Sequence, residues 1–429
     1  MNNKNSVIVA HPNRQHSYQT AAAFQKSDTL ICYITMLYKK QHSLLGRVTS
    51  ILPTKLSNKI NKYNSNLLDE NKVIQVCEIF ALFVQFLSIL PGLKFLYEIA
   101  NSALLKRFNR KLARIVMELK PDILITYDTL SGDALEILIK NNFPVIKIID
   151  MSAPYLGEMK TIFDIKLNNS TEQLQEVRKK FDSRDYKERL IRSRKELEYA
   201  DFYICASEFT KKSLILNGIN ENRISICRYG TSLAYNAEPI DDFKLSPDKR
   251  KLSGLYIGNV SYTKGVQYIV QAIKSCPECI KTFTYIGAIQ NPLIVIEADK
   301  KIESFTGYIS HEEVLNYCKK ADFSVFPSLA DGFGFAVIES MAAGIPVICS
   351  ENAGACDLIE DGVNGFIVEA GNAMQISEKI KWFYKNPEET NQMKKNAIHS
   401  IKQLTIENYN NDLAYTIKEL YEHNNNIKL

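Results

Sequence analysis

Residues 327–368 read PSLADGFGFAVIESMAAGIPVICSENAGACDLIEDGVNGFIV, and the order of local structures that this stretch dictates decides the fold. The apolar residues 323–326 just before it form a short buried strand, which Pro327 stops. Residues 328–334 are then loop, carrying Asp331 and two glycines, Gly332 and Gly334. Residues 335–343 have helical spacing. Gly344 stands where a helix ends in a left-handed residue, and Pro346 blocks continuation. Residues 347–349 are the next strand. In such a strand–loop–helix–strand unit the loop lies at the carboxyl edge of a parallel sheet, where open α/β sheets bind ligands. Gly332 and Gly334 let backbone N–H groups approach a ligand closely, and the helix N-terminus favours an anion. Glu339 follows Asp331 at a spacing of eight, so two carboxylates flank one helix mouth.

The same alternation runs through the whole chain and predicts parallel α/β sheets. Strands are expected at 7–10, 30–35, 123–127, 145–149, 202–206 and 224–227 in the first half. In the second half they are expected at 255–257, 283–286, 323–326, 347–349 and 366–368. Residues 230–253, GTSLAYNAEPIDDFKLSPDKRKLS, are polar, hold two prolines and have no apolar period, as a linker does. A chain of 429 residues suits two domains. The expected organisation is an N-terminal Rossmann-like domain over 1–235, a linker over 236–252, a second Rossmann-like domain over 253–405, and a C-terminal helix over 406–429 crossing back to the first. Residues 171–200 read as one strongly charged helical stretch with a solvated face.

Composition is that of a soluble globular protein, with 45% hydrophobic and 24% charged residues. The opening MNNKNSVIVAHP passes from polar residues straight into a strand without a secretory signal, so a cytoplasmic place is expected. The nine cysteines are scattered, several in strands, which suits a reducing compartment. Cys276 and Cys279 are the one close pair, a weak metal or redox signal without a second pair or nearby histidines. The net charge of +5 hides an asymmetry: Lys39, Lys40, Arg47, Lys55, Lys59, Lys62, Lys106, Arg107, Arg110, Lys111 and Arg114 crowd the first 120 residues. Between these basic clusters lies 79–90, IFALFVQFLSIL, too short to span a bilayer. It reads either as a buried helix of the N-terminal domain or as an apolar patch in an anionic membrane surface. Nucleic acid is not expected as a partner, since no binding motif accompanies the charge. No G-x-G-x-x-G and no P-loop occurs, which argues against nicotinamide dehydrogenases and P-loop NTPases.

A second informative stretch is LYIGNVSYTKG, 255–265, ahead of a helix expected over 266–274. Lys264 stands at a helix start, where the dipole opposes a cation; an anion docked on both makes sense of it, and a lysine pointing into solvent is the plainer alternative. In the first half, His11-Pro-Asn-Arg14-Gln-His16 follows the 7–10 strand and Asp150 follows the 145–149 strand, both at carboxyl ends. His11, Arg14, His16 and Asp150 are candidates for a phosphate or an acceptor hydroxyl, with an ordinary polar loop as the other reading.

Together these residues resemble the glycosyltransferase family 4 type of nucleotide-sugar enzyme, whose fold is GT-B, two Rossmann-like doubly wound domains facing across a cleft. The resemblance covers roughly 252–421. It implies that Gly258, Asn259, Lys264 and Gly265 hold the donor diphosphate, with asparagine at the family's arginine position. The family's Glu-x7-Glu appears as Asp331 to Glu339: Glu339 grips the ribose and the shortened Asp331 faces the transferred sugar. Tyr308 and Ile309 lie in the segment whose backbone contacts the nucleobase, and Gly332, Phe333, Gly334 and Phe335 complete the donor loop. Asp357 stands at a later glutamate position of the family, and Asp150 where many relatives carry histidine.

The implied activity is a retaining, metal-independent transfer from a nucleotide-diphosphate sugar to a glycan or lipid-linked glycan, with Asp331, Glu339 and Lys264 as catalytic candidates. No Asp-x-Asp suits a metal-held diphosphate, and no cofactor or metal is expected. The setting would be surface polysaccharide synthesis, with a peripheral place at the cytoplasmic face of the membrane. Two other readings stay open: a nucleotide-sugar binder without turnover, suggested by Asn259 and Asp331, and a membrane-surface scaffold.

Overall fold

A computed structural model describes residues 5–13, 16–40, 63, 67–90, 92–168, 171–232 and 251–427. Strands β1 (Val7–Ala10), β2 (Leu30–Thr35), β3 (Val73–Gln75), β4 (Ile123–Tyr127), β5 (Ile146–Met151), β6 (Phe202–Cys205) and β7 (Ile224–Ile226) form one parallel sheet in the order 3-2-1-4-5-6-7. Strands β8 (Leu252–Ile257), β9 (Ile280–Ile286), β10 (Glu303–Gly307), β11 (Phe323–Phe326), β12 (Val347–Ser350) and β13 (Gly365–Val368) form a second in the order 10-9-8-11-12-13. Both are doubly wound. Their strand order reverses between β1 and β4 and between β8 and β11, which opens a crevice at those carboxyl ends.

The central strands are apolar on both faces because helices cover both, and Ile8, Val9, Ile123, Leu124 and Ile125 are fully buried. Strand β3 is only three residues long (VIQ) and β10 (ESFTG) is largely polar, so neither shows a period in the sequence; each is an edge strand with one buried residue. The helix Phe335–Ala342 ends as its sequence requires, with Gly344 at φ +71°. The linker expected over 236–252 lies almost wholly outside the described residues.

Helix Ile406–Ile427 lies against helix Ser17–Lys26 of the first domain. Its stripe of Tyr409, Leu413, Ile417 and Leu420 is buried there, and the Tyr409 hydroxyl reaches Thr20 Oγ1 at 3.1 Å. One apolar cluster runs from Val9 and Tyr127 through Phe333, Val337 and Met341 to Leu413, so the core crosses from one domain into the other.

Two expectations about helices change. The charged stretch 171–200 is two helices, Thr171–Phe181 and Arg184–Tyr199. The break falls at Ser183, whose side chain accepts from Tyr186 N and starts the second helix. That helix is not simply a solvated face, because Arg192 and Glu196 are buried. The segment 79–90 is neither a buried helix nor a uniform patch. Helix Glu78–Leu87 turns Ala81, Val84 and Leu87 inward, while Ile79 (74% exposed), Phe83 (52%) and Phe86 (43%) line its outer face. Among the described residues no helix is long and apolar enough to cross a membrane.

Candidate functional site

A cleft of about 780 Å³ opens where the crevices of the two sheets meet. From the second domain it is walled by the β8 turn with Gly258 and Asn259, by Lys264, by Tyr308 and Ile309 after β10, and by the loop after β11 with Asp331, Phe333, Gly334 and Phe335. Glu339 projects into it from the first turns of the Phe335–Ala342 helix. Residues from three stretches of sequence thus share one space.

The Lys264 ammonium pairs with Asp331 Oδ2, and Asp331 Oδ1 accepts from Phe333 N at 3.3 Å. The cation therefore turns to the acidic loop rather than to open solvent. Glu339 has a different environment. Its half-buried carboxylate accepts no hydrogen bond among the described residues, and burial pushes its pKa above the ordinary 4.5, with His311 pulling the other way. A carboxylate left without donors at a cleft wall is suited to paired hydroxyl groups. Tyr308 is 87% exposed at the rim.

Two predicted donor residues do other work. Gly265, at φ +71°, begins helix Val266–Lys274, and a Cβ there would stand 2.0 Å from the Pro327 carbonyl oxygen. Gly332 is bare for the other domain: a Cβ would stand 2.2 Å from the Ser152 carbonyl oxygen. Ser207 Oγ donates to the Gly332 carbonyl at 2.8 Å, which ties the acidic loop to the end of β6. Neither glycine lines the cleft. Asp357 also bridges the domains, accepting from Glu208 N at 2.7 Å where helix Glu208–Leu216 begins.

The first-domain candidates separate. His16 lines the cleft, and its Nε2 donates to Asp150 Oδ2 at 2.9 Å. Asp150 is buried and also accepts from the Tyr229 hydroxyl at 3.1 Å. It fixes the orientation of His16 rather than meeting a ligand itself. His11 turns inward, its Nδ1 receiving Asn13 N at 2.9 Å and its ring edge-on to Tyr127 at 4.9 Å. Arg14 lies outside the described residues. Cys276 and Cys279 are buried free thiols, and burial pushes Cys276 up to about 12.

Sequence reasoning missed Tyr229, whose ring lies 5.1 Å from Phe333 and 5.9 Å from Phe335 beneath the cleft. It also missed Asp128 and Glu196. The Glu196 carboxylate accepts from the backbone of Thr129 (2.6 Å), Ser131 (2.7 Å) and Gly132 (3.1 Å), moulding the loop after β4. That loop holds Asp128, buried and bonded to Ser152 N at 2.9 Å. No local pattern announces any of these partners.

Residues 238–400 match the family model of Glycosyl transferases group 1. The chain is 29% identical over 195 residues to an uncharacterised glycosyltransferase of Methanocaldococcus jannaschii, covering 44% of this chain and 51% of that one. It is 27% identical over 204 residues to the capsular polysaccharide biosynthesis glycosyltransferase CapM of Staphylococcus aureus, covering 42% and 50%. The chain thus spans about half the length of these curated relatives. Over its whole length it superposes on sucrose-phosphate synthase of Thermosynechococcus elongatus with a TM-score of 0.64 at 17% identity, covering 98% of each chain. Anabaena HepE, solved in complex with UDP, gives 0.59 at 14% identity, covering 96% of this chain and all of that one. The fold is therefore the two-domain α/β architecture of these proteins, GT-B.

Proposed function

We propose that this protein transfers a sugar from a nucleotide-diphosphate sugar to a glycan or lipid-linked glycan, in the building of a surface polysaccharide. The observation that carries this reading is the meeting of Lys264, Asp331 and the donor-free carboxylate of Glu339 in one interdomain cleft. The match to a glycosyltransferase family model and the solved complexes of HepE with UDP and with UDP-glucose support a donor of this class.

On this reading Lys264 and the neighbouring helix N-terminus take the diphosphate, and Glu339 takes the ribose hydroxyls. Asp331, freed from Lys264, takes a hydroxyl of the transferred sugar, and the backbone at Tyr308 and Ile309 meets the base. The acceptor oxygen attacks the anomeric carbon from the side the diphosphate leaves. The bond from that carbon to the phosphate oxygen breaks, and the acceptor proton passes to the departing phosphate, so the anomeric configuration is retained. The negative charge growing on the leaving group is met by the Lys264 ammonium and by backbone N–H groups, with no metal in the scheme.

The exposed apolar stripe of helix Glu78–Leu87, with Arg107 and Lys111 beside it, supports a peripheral position on an anionic membrane at its cytoplasmic face. In an assay of a nucleotide-sugar panel, slow release of free sugar persists in EDTA. Turnover that vanishes on chelation and returns with Mn²⁺ contradicts the metal-free scheme.

A further inference from the structure

A second cleft, of about 1110 Å³, opens on the other side of Lys264 and Ala330. The donor cleft also touches Lys264, so the two spaces meet at the point where the reacting end of a donor would lie. Asp128 stands in the wall of the second cleft. It is only 8% exposed, and its Oδ1 is occupied by Ser152 N and Oγ, while its Oδ2 accepts no hydrogen bond among the described residues. A buried carboxylate oxygen left open toward a cavity is a place for a donor group from a ligand.

The remaining walls have a definite chemistry. Lys179 and Lys180 reach the cleft from the end of helix Thr171–Phe181, Arg189 from helix Arg184–Tyr199 and Lys94 from the start of helix Lys94–Leu119. None of these four forms an ion pair within 4 Å among the described residues. With Lys264 they make five cations against three acids, Glu98, Asp128 and Asp185. Leu87 and Leu90 add apolar surface to the lining, and Tyr97 adds an aromatic ring. Leu87 is the last residue of helix Glu78–Leu87, whose outer face carries the exposed Ile79, Phe83 and Phe86, and Leu90 lies in the turn just after it, so one short segment contributes both to the cleft wall and to the exposed apolar stripe.

We propose that this cleft is the acceptor site and that its ligand is a phosphorylated amphiphile. The accepting hydroxyl lies between Asp128 and Lys264, a phosphate or diphosphate lies on Lys179, Lys180 and Arg189, and an apolar chain leaves over Leu90 toward the exposed stripe. This rests on the donor reading above but is separable from it.

The test uses the full chain and farnesyl diphosphate as a soluble phosphorylated amphiphile, titrated with and without UDP, with inorganic pyrophosphate as the chain-free control. Farnesyl diphosphate is expected to bind in the presence of UDP and to bind more tightly than pyrophosphate. A Lys179→Ala/Lys180→Ala variant, altered only at exposed side chains, is expected to bind it at least tenfold more weakly, as loss of charge-assisted contacts entails, while binding UDP as before. Competition by UDP, equal binding of pyrophosphate, or unchanged affinity in the variant overturns the proposal. Absence of UDP binding counts against the donor reading alone, since the titration without UDP still reads the second cleft.

Discussion

Glu339 is the residue on which the donor reading turns. It sits half-buried in the first turns of a helix with no donor for its carboxylate among the described residues, and burial holds its pKa above the ordinary value. Hydroxyl groups donating to the carboxylate stabilise its charged form, so the bound state has the lower pKa. Donor affinity is therefore full above the raised pKa of the free protein and falls as pH drops through it. A titration of donor affinity against pH is expected to show this fall beginning above pH 4.5, and Glu339→Gln is expected to flatten it; an unchanged profile in the variant removes Glu339 from the site. Asp331, Lys264 and Glu339 were legible in the sequence because each belongs to a short local pattern of glycine, helix start and charge. His16 and Asp150 were legible only as separate candidates, because their pairing spans 134 residues. Gly332 was legible as a bare position but not in its use, since the backbone it admits belongs to the other domain.

Among the elements, the two helices of 171–200 show how much a charged sequence can conceal. Glu196 looks like one more solvated acid, yet its carboxylate anchors three backbone N–H groups of the loop after β4. Glu196→Ala leaves these donors buried without a partner and is expected to destabilise the fold by about 2–4 kcal/mol in denaturant unfolding. A loss within about 0.5 kcal/mol would mean that the loop holds its shape unaided. The 78–87 helix is the reverse case. Its apolar residues were plain in the sequence, but which of them face outward depends on the helix Lys94–Leu119 against which it lies. Phe83→Ser/Phe86→Ser leaves the inward Ala81, Val84 and Leu87 intact. It is expected to abolish co-sedimentation with anionic vesicles at low salt while leaving thermal stability within a few degrees. Co-sedimentation equal to the wild type excludes this face as the membrane contact.

For the molecule as a whole, two sheets of matching strand order face each other with their switch points together. Strand alternation and the turn chemistry of 327–368 made the fold class readable, since parallel strands buried on both faces leave continuous apolar runs. The edge strands β3 and β10 and the joins between domains were not readable. They rest on pairings such as Ser207 with Gly332 and Glu208 with Asp357, each more than a hundred residues apart. Those joins, with the shared core beneath Tyr229 and Phe333, hold the walls of the interdomain cleft in place. The central claim is that this cleft binds a nucleotide-diphosphate sugar through Lys264 and Glu339. The most direct measurement is calorimetric titration of a nucleotide-sugar panel into the wild type and Glu339→Ala, both in EDTA. At least one nucleotide sugar is expected to bind the wild type, and the variant is expected to bind it tenfold or more weakly at unchanged stability. Failure of every nucleotide sugar to bind, or equal binding by the variant, contradicts the account.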